Sequence, residues 1–181
     1  MKKNVIGAIV GALIIFLWQF LSFTVLDLHA NANRYTSSQD SVLKYLGEHI
    51  KEGQYFLPGA APGASSEEME KAMPNGTPWA VIAYHSSYNA SMAMAIGRSL
   101  ATDIVMIFLL CWVLSKFHNA RFGTIFVACL CIGLIVFFNV PYTNHIFYQT
   151  FDMMAYFYDA VISFGLCGLW LGWWLPKRKH Y

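Results

Sequence analysis

The chain predicts an all-α transmembrane fold: a four-helix membrane bundle with a small α+β exterior (periplasmic) insertion. Three observations lead there. Apolar runs cover residues 5–28, 96–116, 122–140 and 153–175. Hydrophobic residues make up 57% of the chain and charged residues 12%, about half the charge of an average soluble domain. Basic residues gather at alternating ends of the runs.

A hydrocarbon core of ~30 Å is crossed by about 20 helical residues. The first and last runs exceed that length and the third is close to the minimum. The expected division is residues 1–28 as the first span, 29–95 as an exterior lid, and 96–181 as spans two to four with a short cytoplasmic tail. The first run opens after Lys2 and Lys3 like a secretory signal, but it is longer than a typical signal core. Only Ala30-Asn31-Ala32 offers a weak cleavage pattern, so the run is expected to stay as a span.

Orientation follows from charge. Lys2 and Lys3 precede the first run; Lys116, His118 and Arg121 fill the turn between the second and third; Lys177, Arg178 and Lys179 follow the fourth. The 139–152 turn has no Lys or Arg, and the 29–95 segment mixes both signs. Basic flanks stay cytoplasmic, so both termini are expected inside and the long segment outside. A net charge of +2 is too small to argue for nucleic acid.

The long segment reads as an amphipathic helix from Asp40 to about Glu52, stopped by Gly53, with β-prone runs at 54–57 and 79–85. Between them lie a Pro- and Gly-rich stretch and an acidic patch at Glu67, Glu68 and Glu70. Two strands and one helix are marginal alone, so this domain is expected to rest as a lid on the bundle. Cys111, Cys129, Cys131 and Cys167 all fall in the spans. That excludes an exterior domain held by disulfides, and apolar packing is the expected role of the thiols.

The glycine-bearing first span (Gly7, Gly11), its Phe16-Leu17-Trp18-Gln19-Phe20-Leu21-Ser22 stretch, His29, Asp40-Ser41-Val42-Leu43 and Gly53-Gln54-Tyr55-Phe56-Leu57-Pro58-Gly59 form one layout. It resembles a group of uncharacterised small bacterial membrane proteins with four spans and one periplasmic insertion. The resemblance implies a bacterial cytoplasmic (inner) membrane and no particular mechanism. Claudin-type proteins share the outline alone, because their paired exterior cysteines are missing here.

The candidate site is a set of ionisable residues at or near the exterior ends of the spans: Asp27, His29, Arg98, Asp103, Asp152 and Asp159. Charges in a span cost several kcal/mol unless they face the bundle or reach water. Asp152 and Asp159 are seven residues apart on one helix face, continued by Tyr156, Ser163 and Cys167. Arg98 is expected to pair with Asp152 or Asp159 and tie the second span to the fourth. The alternative is that Asp103 and Asp159, about 9 Å inside their spans, line a hydrated pocket for a cation, a proton or a polar head group. His29 and His85 together make too small a ligand set for a metal. Gly7 and Gly11, like Gly168 and Gly172, permit close helix approach.

No motif for catalysis, phosphate binding, dithiol chemistry or a cofactor occurs. The expectation is a non-catalytic integral membrane protein with lipids and a protein partner around it, an accessory or assembly subunit of a larger complex. A small-ligand, ion or lipid-handling protein using the Asp/Arg cluster is the second possibility. An enzyme acting on a lipid or envelope substrate under the lid is the third.

Overall fold

A computed structural model describes residues 2–118 and 120–176. Lys177, Arg178 and Lys179, part of the orientation argument, lie outside the described residues. The chain folds as two compact units, one of residues 1–34 and 90–181, the other Tyr35–Asn89.

In the first unit, α1 (Lys2–Phe20) runs into a π-turn at Leu21–Val25. The later segments of this unit are α4 (Met92–Leu114), α5 (Phe122–Phe137) with a π-turn at Phe138–Tyr142 and α6 (Thr143–Tyr148), and α7 (Met153–Trp174). Four helical segments, Lys2–Val25, Met92–Leu114, Phe122–Tyr148 and Met153–Trp174, are long and apolar enough to cross a membrane. Pro141 sits in the second π-turn, where its missing N–H and its ring accompany the break in regular α-helix. The third segment therefore runs on past Val140 to Tyr148.

Helix α1 packs against α4 and α7, and α7 also packs against α5. Among the described residues no comparable backbone interface joins α4 to α5 or to α7. The shared core includes Ala8, Ala12 and Ile15 from α1, Ile107 and Cys111 from α4, Cys129 from α5, and Cys167 and Leu171 from α7. The thiols of Cys111, Cys129 and Cys167 are buried and free, filling space as small apolar groups.

Small residues set the approach distances. A Cβ on Gly11 would lie 2.9 Å from Ile107 Cγ2 and 3.1 Å from Cys167 Sγ, so this glycine faces α4 and α7 together. Gly7 faces Trp174, Leu171 and Cys111, whereas Gly168 and Gly172 face Cys129, Phe126 and Phe122 of α5. The tightest approach is at Gly133, where a Cβ would come within 2.7 Å of the Ala160 carbonyl oxygen. At the end of the bundle where α1 begins, Trp174 Nε1 donates to the Lys3 carbonyl at 2.8 Å and Trp170 Nε1 to that of Gly7 at 3.1 Å. Lys3 Nζ in turn donates to the Leu175 and Pro176 carbonyls at 3.3 and 2.9 Å. These bonds satisfy carbonyls at the α7 C-terminus that have no partner within the helix.

The second unit holds α2 (Gln39–His49), β1 (Gly53–Leu57), α3 (Ser66–Ala72) and β2 (Ala80–Tyr84). The strands are antiparallel, with Gly53 opposite Tyr84 and Leu57 opposite Ala80. Helix α2 begins one residue before Asp40, which lies in its first turn and not at its cap, and it stops at His49. A Cβ on Gly47 would meet Tyr84 Oη at 2.9 Å, so α2 lies close against β2. His85 Nδ1 and Glu52 Oε1 are 3.2 Å apart, and Ser86 Oγ donates to Glu52 Oε2 at 3.3 Å, joining the two strands just beyond Gly53 and Tyr84.

The acidic patch is not loop. Ser65 accepts from the Glu68 backbone N–H, and Glu68 accepts from the Ser65 N–H, a reciprocal capping box that opens α3. These bonds from the Ser65 backbone and then its hydroxyl hold the Glu68 carboxyl below its usual value of 4.5.

Candidate functional site

The site lies where α1 ends and α7 begins. The π-turn at Leu21–Val25 widens the last turn of α1, and Asp27 then takes a left-handed conformation at φ 49°. Leu28 N–H reaches back to the Ser22 carbonyl at 3.0 Å, closing the turn. This is a helix C-terminus capped by a left-handed residue, one position wider than usual because of the π-turn. Asp is among the few L-residues that adopt it readily. The reversal carries His29 inward until it is 2% exposed.

There the imidazole is held on every side. Nδ1 is 2.8 Å from Asp152 Oδ2, and Nε2 is 2.9 Å from Asp159 Oδ2. The Phe23 ring stacks on it at 3.8 Å, and Tyr156 meets it edge-on at 4.7 Å. Trp18 Nε1 donates to the other oxygen of Asp159 at 2.9 Å. Ser163 Oγ donates to the Asp159 backbone carbonyl. Asp152 precedes α7 and Asp159 lies two turns along it, so the histidine spans both acids on one face of that helix.

Hydrogen-bond accounting sets the protons that bridge this cluster. Two N···O contacts of this length require two protons, one in each. Either the imidazole carries both and the two carboxylates are ionised, or a neutral imidazole carries one and a carboxyl the other. With these two bridging protons alone the group carries −1 in both cases, and the protons belong to the group as a whole. Among the described residues, the ion pairs of Asp152 and Asp159 are with His29.

The expected pairing of Arg98 with these acids is therefore not formed. Arg98 is exposed, and α4 has no extensive interface with α7 because α1 packs between them. Asp27 is exposed, and its backbone makes the turn. Asp103 is buried at 4% exposure on α4. The Gln19 side chain lies beside it, while among the described residues its Oδ2 has no hydrogen-bond partner, nor has the buried hydroxyl of Ser22. His85 lies in the other unit with Glu52. Among the described residues no group of His, Cys, Asp or Glu is suited to a metal ion.

Beside the cluster is a cleft of about 550 Å³. It is lined by Gln19 and Phe20 of α1 with Tyr156, Asp159 and Ser163 of α7. Its sides are Ala95, Ile96 and Ser99 of α4, and Val136, Phe137 and Pro141 of the third segment. Ala95, Ile96 and Val136 are exposed at its rim, in the gap between α4 and α5. Trp18 and Gln19 carry no charge, so the pattern of ionisable residues does not mark them. A long apolar run interrupted by adjacent Trp and Gln was the available signal, since both need a buried partner in a span. Comparison with protein-family models, with curated proteins and with solved structures returns no match.

Proposed function

We propose that this chain is a non-catalytic, multi-pass protein of a bacterial inner membrane, with both termini cytoplasmic, that handles a small lipid-phase ligand in the cleft beside its Asp–His cluster. One observation carries the reading: Asp159 belongs both to the buried cluster and to the wall of a largely apolar cleft. Ligand sites combine apolar walls with a few convergent polar groups in a volume of roughly 300–1,000 Å³, and the opening between α4 and α5 faces where acyl chains would lie.

An enzyme acting on a lipid is less well supported. Both ring nitrogens of His29 are engaged and the ring is buried, so it offers no free base to a substrate. An accessory subunit remains compatible with the exposed apolar helix faces, but lipid covers such faces equally well.

Native mass spectrometry of the protein extracted in mild detergent tests the proposal. A bound amphiphile is expected on the parent and is expected to be lost from Ala95→Trp, which fills the rim without touching the cluster. A stoichiometric protein partner with no bound amphiphile in either form would replace this reading with the accessory-subunit one.

A further inference from the structure

Resting on the reading of the cleft as a ligand site, the geometry points to a lipophilic monocation as its occupant, its positive charge against Asp159 and its apolar part leaving between α4 and α5. The charge balance is the first reason. With its two bridging protons alone the His29–Asp152–Asp159 group carries −1, and its ion pairs among the described residues supply no further positive charge. An unbalanced charge within an apolar span is costly, and a cation in the cleft offsets that cost.

The lining is the second reason. Phe16, Phe20, Phe23, Phe137 and Tyr156 surround the space with aromatic rings, and a cation within about 6 Å of such faces is attracted to them. The same lining holds no Lys or Arg, so the phosphate of a zwitterionic lipid head would meet no counter-charge there. A single positive charge on an apolar body fits both facts.

Asp103 is the third. It lies one helical turn beyond Ser99, which lines the cleft, and Gln19 touches both the cleft and the Asp103 carboxyl. Its Oδ2 is buried without a hydrogen-bond partner. Asp103 is thus a second acid on the α4 side, close to the Ser99 and Gln19 that line the cleft.

The test uses the full chain in nanodiscs with two probes of the same size and shape but opposite charge, tetraphenylphosphonium and tetraphenylborate, with binding to empty discs subtracted. Tetraphenylphosphonium is expected to bind saturably at one per chain, and roughly tenfold or more tighter than tetraphenylborate, as one charge contact plus ring contacts would give. Asp159→Asn and, independently, Ala95→Trp are each expected to weaken it by roughly tenfold or more, while Arg98→Ala leaves it unchanged. If both probes bind equally and Ala95→Trp blocks both, the cleft is a ligand site and the cation is wrong. If neither binds above empty discs, the cation and the ligand site both fall. If Asp159→Asn does not fold, the preference for the cation and its loss in Ala95→Trp still decide the matter.

Discussion

His29 Nε2 lies 2.9 Å from Asp159 Oδ2, although the two residues are 130 positions apart in the chain. With the Asp152 contact, this ties the end of α1 to the first two turns of α7. The tie is buried and made of ionisable groups. Its value is therefore the cost of breaking it, more than any net gain from making it.

Removing the histidine leaves two acids in an apolar region with Trp18, among the described residues, as the remaining side-chain donor. His29→Ala is expected to destabilise the bundle by about 3–5 kcal/mol, read as a large fall in the detergent melting temperature. Replacing Asp152 and Asp159 by Asn in the same variant is expected to recover part of that loss. Arg98→Ala, at an exposed position with no ion pair among the described residues, is expected to stay within about 0.5 kcal/mol of the parent. A larger effect of Arg98→Ala than of His29→Ala would refute the assignment.

Much of this arrangement was legible in the sequence. Length and apolarity locate the spans, because nothing else satisfies a helix backbone across a bilayer. The acids at 152 and 159 and the histidine at 29 stand out because ionisable groups there are costly. Their partners do not stand out. Helical periodicity places Asp152 and Asp159 on one face but says nothing of which helix lies opposite. The neighbour is α1, and that order excludes Arg98. His29 reaches the acids only through a π-turn and a left-handed Asp27, which a regular helix pattern does not reveal. Helix α3 was legible in Ser65-x-x-Glu68, a capping-box spacing hidden within what looked like an acidic patch.

Two glycines separate close packing from open space. A Cβ at Gly133 would sit 2.7 Å from a backbone oxygen, which cannot rotate away, whereas nothing lies within 4 Å of one at Gly97. Gly133→Ala is expected to cost about 1–3 kcal/mol by forcing α5 and α7 apart. Gly97→Ala, inside α4, is expected to be neutral or stabilising by up to ~1 kcal/mol through helix propensity. Melting of the two variants in the same detergent checks both; equal behaviour would mean that α5 and α7 are not packed through Gly133.

The α3 cap has a pH signature. Bonds from the Ser65 backbone and hydroxyl depress the Glu68 pKa from its usual 4.5. A depressed folded-state value means that the cap's contribution is complete above the unfolded value and is lost as pH falls through the folded one. Normalised hydrogen-exchange protection of residues 66–72 in the full chain is thus expected to hold steady down to about pH 5 and to fall below 4.5. Ser65→Ala is expected to lower protection about fivefold at neutral pH and to remove most of the acid dependence. Protection that is insensitive to both changes would show that α3 is held by other contacts.

Orientation is the prediction that places the cleft relative to the two compartments. Lys2, Lys3, Lys116 and Arg121 lie at one end of the spans, while the 139–152 turn at the other has no Lys or Arg. The positive-inside tendency puts the basic end in the cytoplasm, which sends Tyr35–Asn89, the Asp–His cluster and the mouth of the cleft to the exterior side. Ala61 is exposed in that unit, and the native thiols at 111, 129 and 167 are buried. Ala61→Cys, made in a Cys131→Ser background to remove the one exposed native thiol, is expected to react with a membrane-impermeant maleimide in cells whose outer membrane alone has been permeabilised. Labelling that appears only after the inner membrane is broken would invert the topology and place the cluster on the cytoplasmic side. The ligand proposed for the cleft would then have to enter from the inner leaflet.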